Sequence, residues 1–251
     1  MRYALSRESR EVLRQFMASK VLLAFDFDGT LAPIVDVPAR AHMRAVTRQL
    51  LRRIARLRPC VVLSGRSRAE LRDRLAGTGL ARLIGNHGAE PWAKGVPDPS
   101  RRVARWKAVL AERLASLPGV GIEDKKFSLT VHYRHCRRKA AARGQILEAT
   151  RVLPRIRVID GKLAISIVAD NAPGKGTALA AELKRRACTR ALFVGDDETD
   201  EDVFARSGEL ALFGIRVGRK LRSRAAYFLR NQEEVDELLR VLTQFAGNMR
   251  A

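Results

Sequence analysis

Two short acidic stretches hold most of the chemistry this sequence could perform. In the first, the apolar run Val21-Leu22-Leu23-Ala24-Phe25 ends in Asp26-Phe27-Asp28-Gly29-Thr30. A run of strand length that delivers two carboxylates and then turns is hard to explain by folding alone. Strand alternation carried through the tip would put Asp26 and Asp28 on one side, so that two like charges share a small volume. A cation or a proton has to relieve them. A Mg²⁺-bound carboxylate nucleophile, with a second carboxyl beside it as acid and base, uses that arrangement for covalent catalysis on phosphate. A polar turn after a buried strand is the plainer alternative, because Asp-Gly is a common turn dipeptide.

The second stretch follows an expected strand at Arg190 to Val194 and reads Gly195-Asp196-Asp197-Glu198-Thr199-Asp200-Glu201-Asp202, six carboxylates in seven positions. As a helix start it over-supplies negative charge, whereas a hard cation such as Mg²⁺ takes a few carboxylates, waters and substrate phosphate. Two further turns offer polar groups: Ser64-Gly65-Arg66 after Cys60 to Leu63, and Lys175 within Pro173-Gly174-Lys175-Gly176-Thr177. The latter is not a nucleotide loop, since Ala169 stands where its first glycine belongs and Gly176 follows the lysine. A lysine at a helix start can still neutralise one phosphate alongside backbone amides. Asp26, Asp28, Ser64, Lys175, Asp196 and Asp200 are therefore expected to form one site.

The elements that must position them follow a βαβα rhythm. A polar helix over residues 6 to 19 precedes the first strand, a helix over Arg40 to Arg58 follows the first acidic turn, and Cys60 to Leu63 is a second buried strand. A helix through Leu75 leads to a third strand at Arg82 to Gly85, which ends in Asn86-His87-Gly88-Ala89-Glu90. Such a rhythm implies a parallel sheet with ligands at the carboxyl ends of its strands. Residues 93 to 100, with Gly95, Pro97 and Pro99, read as a linker. After a helix from Arg102 to Leu117, strands at Gly121 to Glu123 and Ser128 to Arg134, a helix near Arg138 to Val152, and a hairpin turning at Asp160-Gly161-Lys162 make an α+β unit. The reading is thus an α/β protein with a Rossmann-like parallel-sheet core over residues 1–92 and 171–251 and an inserted α+β cap domain over residues 93–170.

Composition narrows the partners. The chain has 251 residues, 46% of them hydrophobic, enough for a sizeable core. Its net charge of +21 is spread as arginine over every expected helix, and aromatics make up only 6%, too few for base-stacking platforms. Specific nucleic-acid binding is not expected; attraction of anionic substrates is. Cys60, Cys136 and Cys188 lack metal-ligand spacing and read as reduced packing residues. No run reaches the roughly 18 apolar residues of a membrane helix, and the start has no apolar leader, so no membrane partner is expected and the cytoplasm is the default location. Oligomeric state is not written in these residues.

In order, Asp26-Phe27-Asp28-Gly29-Thr30, Ser64-Gly65-Arg66, Lys175-Gly176 and Gly195-Asp196-Asp197 with Thr199-Asp200 resemble the motifs of the haloacid dehalogenase superfamily of phosphatases. Asp28 to Ile34, Gly85 to Glu90, Glu123 to Lys125 with His132 to Arg134, and Gly195 to Phe204 are similar to its trehalose-6-phosphate phosphatase branch. The resemblance implies that Asp26 attacks phosphorus to form an aspartyl-phosphate while Asp28 protonates the leaving sugar oxygen and then activates water. Ser64 and Lys175 would hold the transferring oxygens. Mg²⁺ would sit on the Asp26 carboxylate, the Asp28 carbonyl and Asp196, with Asp200 bound directly or through water. Arg66 and Asn86 would line the rim, and a cap closing over the sugar would contact it or its phosphate through Glu123, Lys125, His132 and Arg134, with His87 and Glu90 from the core loop. The chain departs from that branch at Ser166 to Asn171, where relatives read similarly to Glu-x-Arg-Pro. Another glycosyl phosphate, such as glucosylglycerol phosphate or glycosylglycerate phosphate, is therefore the competing substrate. A basic polyanion-binding or sugar-phosphate-sensing protein is the non-enzymatic alternative, but it would not need all four of Asp26, Asp28, Lys175 and Asp196.

Overall fold

A computed structural model describes residues 1–91 and 98–247. The expected linker over residues 93 to 100 and the expected domain boundary at 92 fall largely outside them. The chain divides into two compact units, Met1–Gly88 with Gly174–Ala251, and Ala89–Pro173.

In the first unit, strands β1 (Arg2–Tyr3), β2 (Val21–Phe25), β3 (Cys60–Leu63) and β4 (Arg82–Ile84) precede the second unit. Strands β9 (Arg190–Gly195), β10 (Leu212–Val217) and β11 (Tyr227–Leu229) follow it. All seven form one parallel sheet in the order β1-β11-β10-β9-β2-β3-β4. A strand buried on both faces needs no polar alternation, and β2 is apolar throughout for that reason. Val21, Leu23 and Phe25 enter one core, with residues of α1 (Arg7–Met17), α2 (Ala45–Ala55) and α8 (Glu234–Gly247). Leu22 and Ala24 enter the other, with α6 (Lys175–Arg185) and α7 (Glu201–Phe204). Leu192 and Val194 of β9 divide from Ala191 and Phe193 in the same way. The period of two thus splits each central strand between two helical layers. From β2 the chain continues toward β3, and from neighbouring β9 it continues toward β10, on the opposite side. In open α/β sheets, ligands bind outside the carboxyl ends of the strands at such a switch point.

The second unit holds an antiparallel sheet, β5 (Gly121–Asp124), β6 (Ser128–His132), β8 (Ala164–Ala169) and β7 (Ile156–Gly161). Leu129, Val131, Ile165 and Ile167 pack with Val103, Trp106 and Leu110 of α4 (Ser100–Arg113) and with Ala142 and Ile146 of α5 (Lys139–Thr150). Alternation puts Ser128, Thr130, His132 and Ser166 on the other face. The hairpin expected to turn at Asp160-Gly161-Lys162 turns one residue later. Gly161 still pairs with Ala164, and Leu163, at φ +58°, takes the left-handed position.

Candidate active site

Asp26 follows β2 directly, and its N–H donates to the Val194 carbonyl of β9 at 2.8 Å. That bond sets the first acidic turn beside the second. Asp196 follows β9, and Asp200 closes a 3₁₀ turn over Glu198–Asp200, its Oδ2 accepting from the Asp197 N–H at 3.0 Å. Lys175 opens α6. Its Nζ donates to Asp26 Oδ1 at 2.8 Å and to Asp200 Oδ1 at 2.7 Å. Asp26 is 4% exposed, Lys175 3% and Asp200 0%, so this triad is dry.

Strand alternation does not extend to Asp28, because β2 ends at Phe25. The two carboxylates of the first motif consequently have different partners. Both oxygens of Asp28 accept from Arg66, Nε to Oδ2 and Nη2 to Oδ1, each at 2.7 Å. The cations that relieve the close carboxylates are thus two side chains, Lys175 for Asp26 and Arg66 for Asp28. Arg66 is itself steadied by Glu70 at 3.1 Å, and Ser67 with Glu70 forms the capping box of α3 (Arg68–Arg74). Ser64, buried at the end of β3, accepts the Arg66 N–H on Oγ at 3.2 Å. Asn86 and His87, at φ 50° and 57°, form the turn after β4 and donate their N–H groups to the carbonyls of Arg66 and Ser64 at 2.8 and 2.9 Å.

Asp26, Asp196 and Asp200 each present an oxygen within 4.8 Å of the others, and Asp196 Oδ1 is buried without a hydrogen-bond partner. An all-oxygen, carboxylate-rich set with an unsatisfied buried lone pair fits a hard divalent cation. The side chain of Asp28 is not in this set. Glycine is needed nearby: Gly29 has φ +78°, and a Cβ there would overlap the Asp196 carboxylate.

Burial first, and charge crowding second, shift the acidities of these carboxyls. Burial pushes the Asp26 carboxyl well above its usual range; Lys175 opposes the shift, and Asp200 and Asp196 add to it. Burial, then Asp200 and Asp197, push Asp196 up to about 8. Burial disfavours the Lys175 ammonium, but Asp200 and Asp26 outweigh it and raise its pKa. A carboxyl with a raised folded-state pKa binds a proton that the unfolded chain has released. The stability it contributes is therefore complete below the ordinary carboxylate range and is lost as pH rises through about 8. Chelator-treated protein is accordingly expected to melt at lower temperature as pH climbs from 5 to 8, with Asp196→Asn flattening the slope. Added Mg²⁺ should raise the melting temperature more at pH 8 than at pH 5, because ligands must be deprotonated to bind it. An unchanged slope in Asp196→Asn contradicts this.

The remaining predicted residues lie in the second unit. Glu123 of β5 accepts from His132 Nε2 of β6 at 2.8 Å, with Lys125 Nζ at 3.7 Å from the same Oε2. Glu90 and Arg134 are half-buried in that unit. In the divergent stretch, Ser166 Oγ lies 3.1 Å from Thr130 Oγ1. The Asp170 carboxylate accepts the Asn171 N–H at 2.9 Å and lies 4.0 and 3.7 Å from Arg102 and Arg155.

Sequence reasoning missed two side chains that hold the loops. Gln232 Nε2 donates to the Thr30 carbonyl at 2.8 Å, and buried Arg216 donates to the carbonyl of Asp196. A lone arginine inside the apolar run Leu212 to Val217 was the available signal for the second; nothing marked the first.

A family model described as trehalose-phosphatase matches residues 24–231. A trehalose-phosphate phosphatase of Mycobacterium avium is 36% identical over 199 residues, covering 72% of this chain and 49% of that protein. A probable trehalose-phosphate phosphatase of Arabidopsis thaliana is 27% identical over 267 residues, covering 94% of this chain and 70% of that one. The chain thus spans about half the length of the mycobacterial relative. A solved C-terminal domain of the C. albicans trehalose-6-phosphate phosphatase superposes with a TM-score of 0.78 at 22% identity, over 98% of both chains. Among the described residues, no helix is long and apolar enough to cross a membrane, and the three cysteines are free.

Proposed function

The chain belongs to the trehalose-phosphatase family, and on that premise we propose that it is a Mg²⁺-dependent cytoplasmic phosphatase that hydrolyses trehalose 6-phosphate to trehalose and phosphate. The observation that carries the proposal is the meeting of Asp26, Lys175, Asp196 and Asp200 at the ends of β2 and β9.

In the first half-reaction Asp26 attacks phosphorus. Its Oδ1 is engaged by Lys175, which leaves Oδ2 to form the new P–O bond. The bond to the sugar oxygen breaks, and Asp28 gives that oxygen its proton. In the second half-reaction Asp28 takes a proton from water, whose oxygen displaces Asp26 and releases phosphate. One of the two bonds from Arg66 to Asp28 has to open for this carboxyl to carry a proton. Lys175 and the Ser64 hydroxyl neutralise and hold the equatorial oxygens in line with attack. The Asp26 carboxylate, Asp196 and Asp200, with the Asp28 carbonyl, would hold Mg²⁺, which supplies charge neutralisation at the phosphoryl group.

We assign the inserted unit, residues 89 to 173, the role of cap, and give Glu123, Lys125, His132 and Arg134, together with His87 and Glu90, the role of contacts to the sugar or its phosphate. Arg66 and Asn86 belong to the phosphate rim. Glu123→Ala is expected to lower kcat/KM on trehalose 6-phosphate by roughly 10²-fold or more while leaving a small aryl phosphate within about threefold. Equal losses on both substrates would remove the cap assignment. The second reading, another glycosyl phosphate, is favoured by the divergent stretch, where Ser166 pairs with Thr130 and Asp170 faces Arg102 and Arg155. Relative rates on glucosylglycerol phosphate and trehalose 6-phosphate decide between them.

A further inference from the structure

Five of the six carboxylates between Asp196 and Asp202 have a partner within the chain. Asp197 accepts the Glu198 N–H at 2.7 Å, Glu198 pairs with Lys220, Asp200 accepts from Lys175 at 2.7 Å, Glu201 from Arg216 at 2.8 Å, and Asp202 the Gly176 N–H at 2.8 Å. Asp196 is the sixth, and its Oδ1 is buried with no hydrogen bond. An arginine 6% exposed stands directly behind it. Arg216 does not take the carboxylate. Its Nη2 donates to the Asp196 carbonyl at 2.5 Å, and its Nη1 donates to the Asp197 carbonyl at 3.2 Å and to Glu201 Oε1.

We propose that Arg216 is a positioning residue for the divalent cation: it locks the backbone of residues 196 and 197 so that the Asp196 carboxylate is presented without being consumed. The proposal rests on the metal-dependent reading above. A guanidinium fork can span two successive carbonyls and a carboxylate at once, whereas an ammonium offers the same charge from a single point. As a cation, Arg216 repels the metal; as a fork, it orders the ligand loop. The two contributions have opposite signs, so substitution separates them. If ordering dominates, removing the fork weakens metal binding even though it also removes a repelling charge. Partners that orient metal ligands typically govern about 10- to 100-fold in affinity.

The test is calorimetric titration of Mg²⁺ into wild type, Arg216→Met and Arg216→Lys without substrate, followed by the Mg²⁺ activation curve of each on the preferred sugar phosphate. Arg216→Met is expected to bind Mg²⁺ roughly 10- to 100-fold more weakly. Arg216→Lys, with charge kept and fork lost, is expected to bind about tenfold more weakly. Both should regain kcat within about twofold at saturating Mg²⁺, with the substrate KM unchanged, a pattern that general loss of packing does not produce. Wild-type affinity in Arg216→Lys overturns the proposal, as does tighter binding in Arg216→Met or a rate loss that Mg²⁺ does not restore. If the methionine variant does not fold, the lysine variant decides alone. Absence of Mg²⁺ binding to wild type would overturn both this inference and the metal reading beneath it.

Discussion

Asp26→Asn should lose at least about 10⁴-fold in turnover, because the amide that replaces the carboxylate cannot form the acyl phosphate. That corresponds to roughly 5 kcal/mol of transition-state stabilisation. Its fold should survive. Asparagine is nearly isosteric, its carbonyl still accepts from Lys175, and one of the crowded buried carboxyls is gone. The melting temperature of the chelator-treated variant is therefore expected to equal or exceed that of wild type. Activity within tenfold of wild type in a pure sample would refute covalent catalysis by Asp26, and a collapse in melting temperature would show that the residue is structural.

Lys175→Met is expected to have the largest effect on stability. Lys175 is 3% exposed, and its ammonium is bonded to two carboxylates, Asp26 and Asp200, that are themselves almost fully buried. Deleting it leaves those carboxylates and Asp196 together with no ammonium between them. Breaking a buried ion pair by removing one partner costs about 3–5 kcal/mol. For a chain of this size that amounts to a fall in melting temperature on the order of 10 °C in chelator. Mg²⁺ should restore part of the loss, since a divalent cation supplies the missing charge, while turnover stays low because the phosphoryl oxygens have lost their donor. Melting unchanged in chelator would mean that Lys175 is not held in a stabilising buried ion pair in the metal-free protein.

Much of this site could be read without coordinates, for a physical reason. A parallel strand buried on both faces is a plain apolar run, and polar residues at its carboxyl end are its only punctuation. Val21 to Phe25 before Asp26, Cys60 to Leu63 before Ser64 and Arg190 to Val194 before Asp196 all have that form. Short edges do not. Arg2–Tyr3 and Tyr227–Leu229 are too brief to show any period, and they pair only because the sheet supplies a partner. Side-chain pairings across the fold were equally silent. Nothing in the local sequence announces that Arg66 grips Asp28 across 38 positions, or that Arg216 reaches back to the carbonyl of Asp196. Arginine is frequent throughout this basic chain, so one that performs a specific task does not stand out.

Phosphate release with Mg²⁺ from trehalose 6-phosphate, beside glucose 6-phosphate, sucrose 6-phosphate, glucosylglycerol phosphate and an aryl phosphate, measures the proposed activity itself when Asp26→Asn serves as the blank. The expected result is release from trehalose 6-phosphate at a kcat/KM at least about tenfold above every other ester, abolished in the blank and by chelation. Release no faster than the blank on all of these esters would contradict the assignment of a phosphatase.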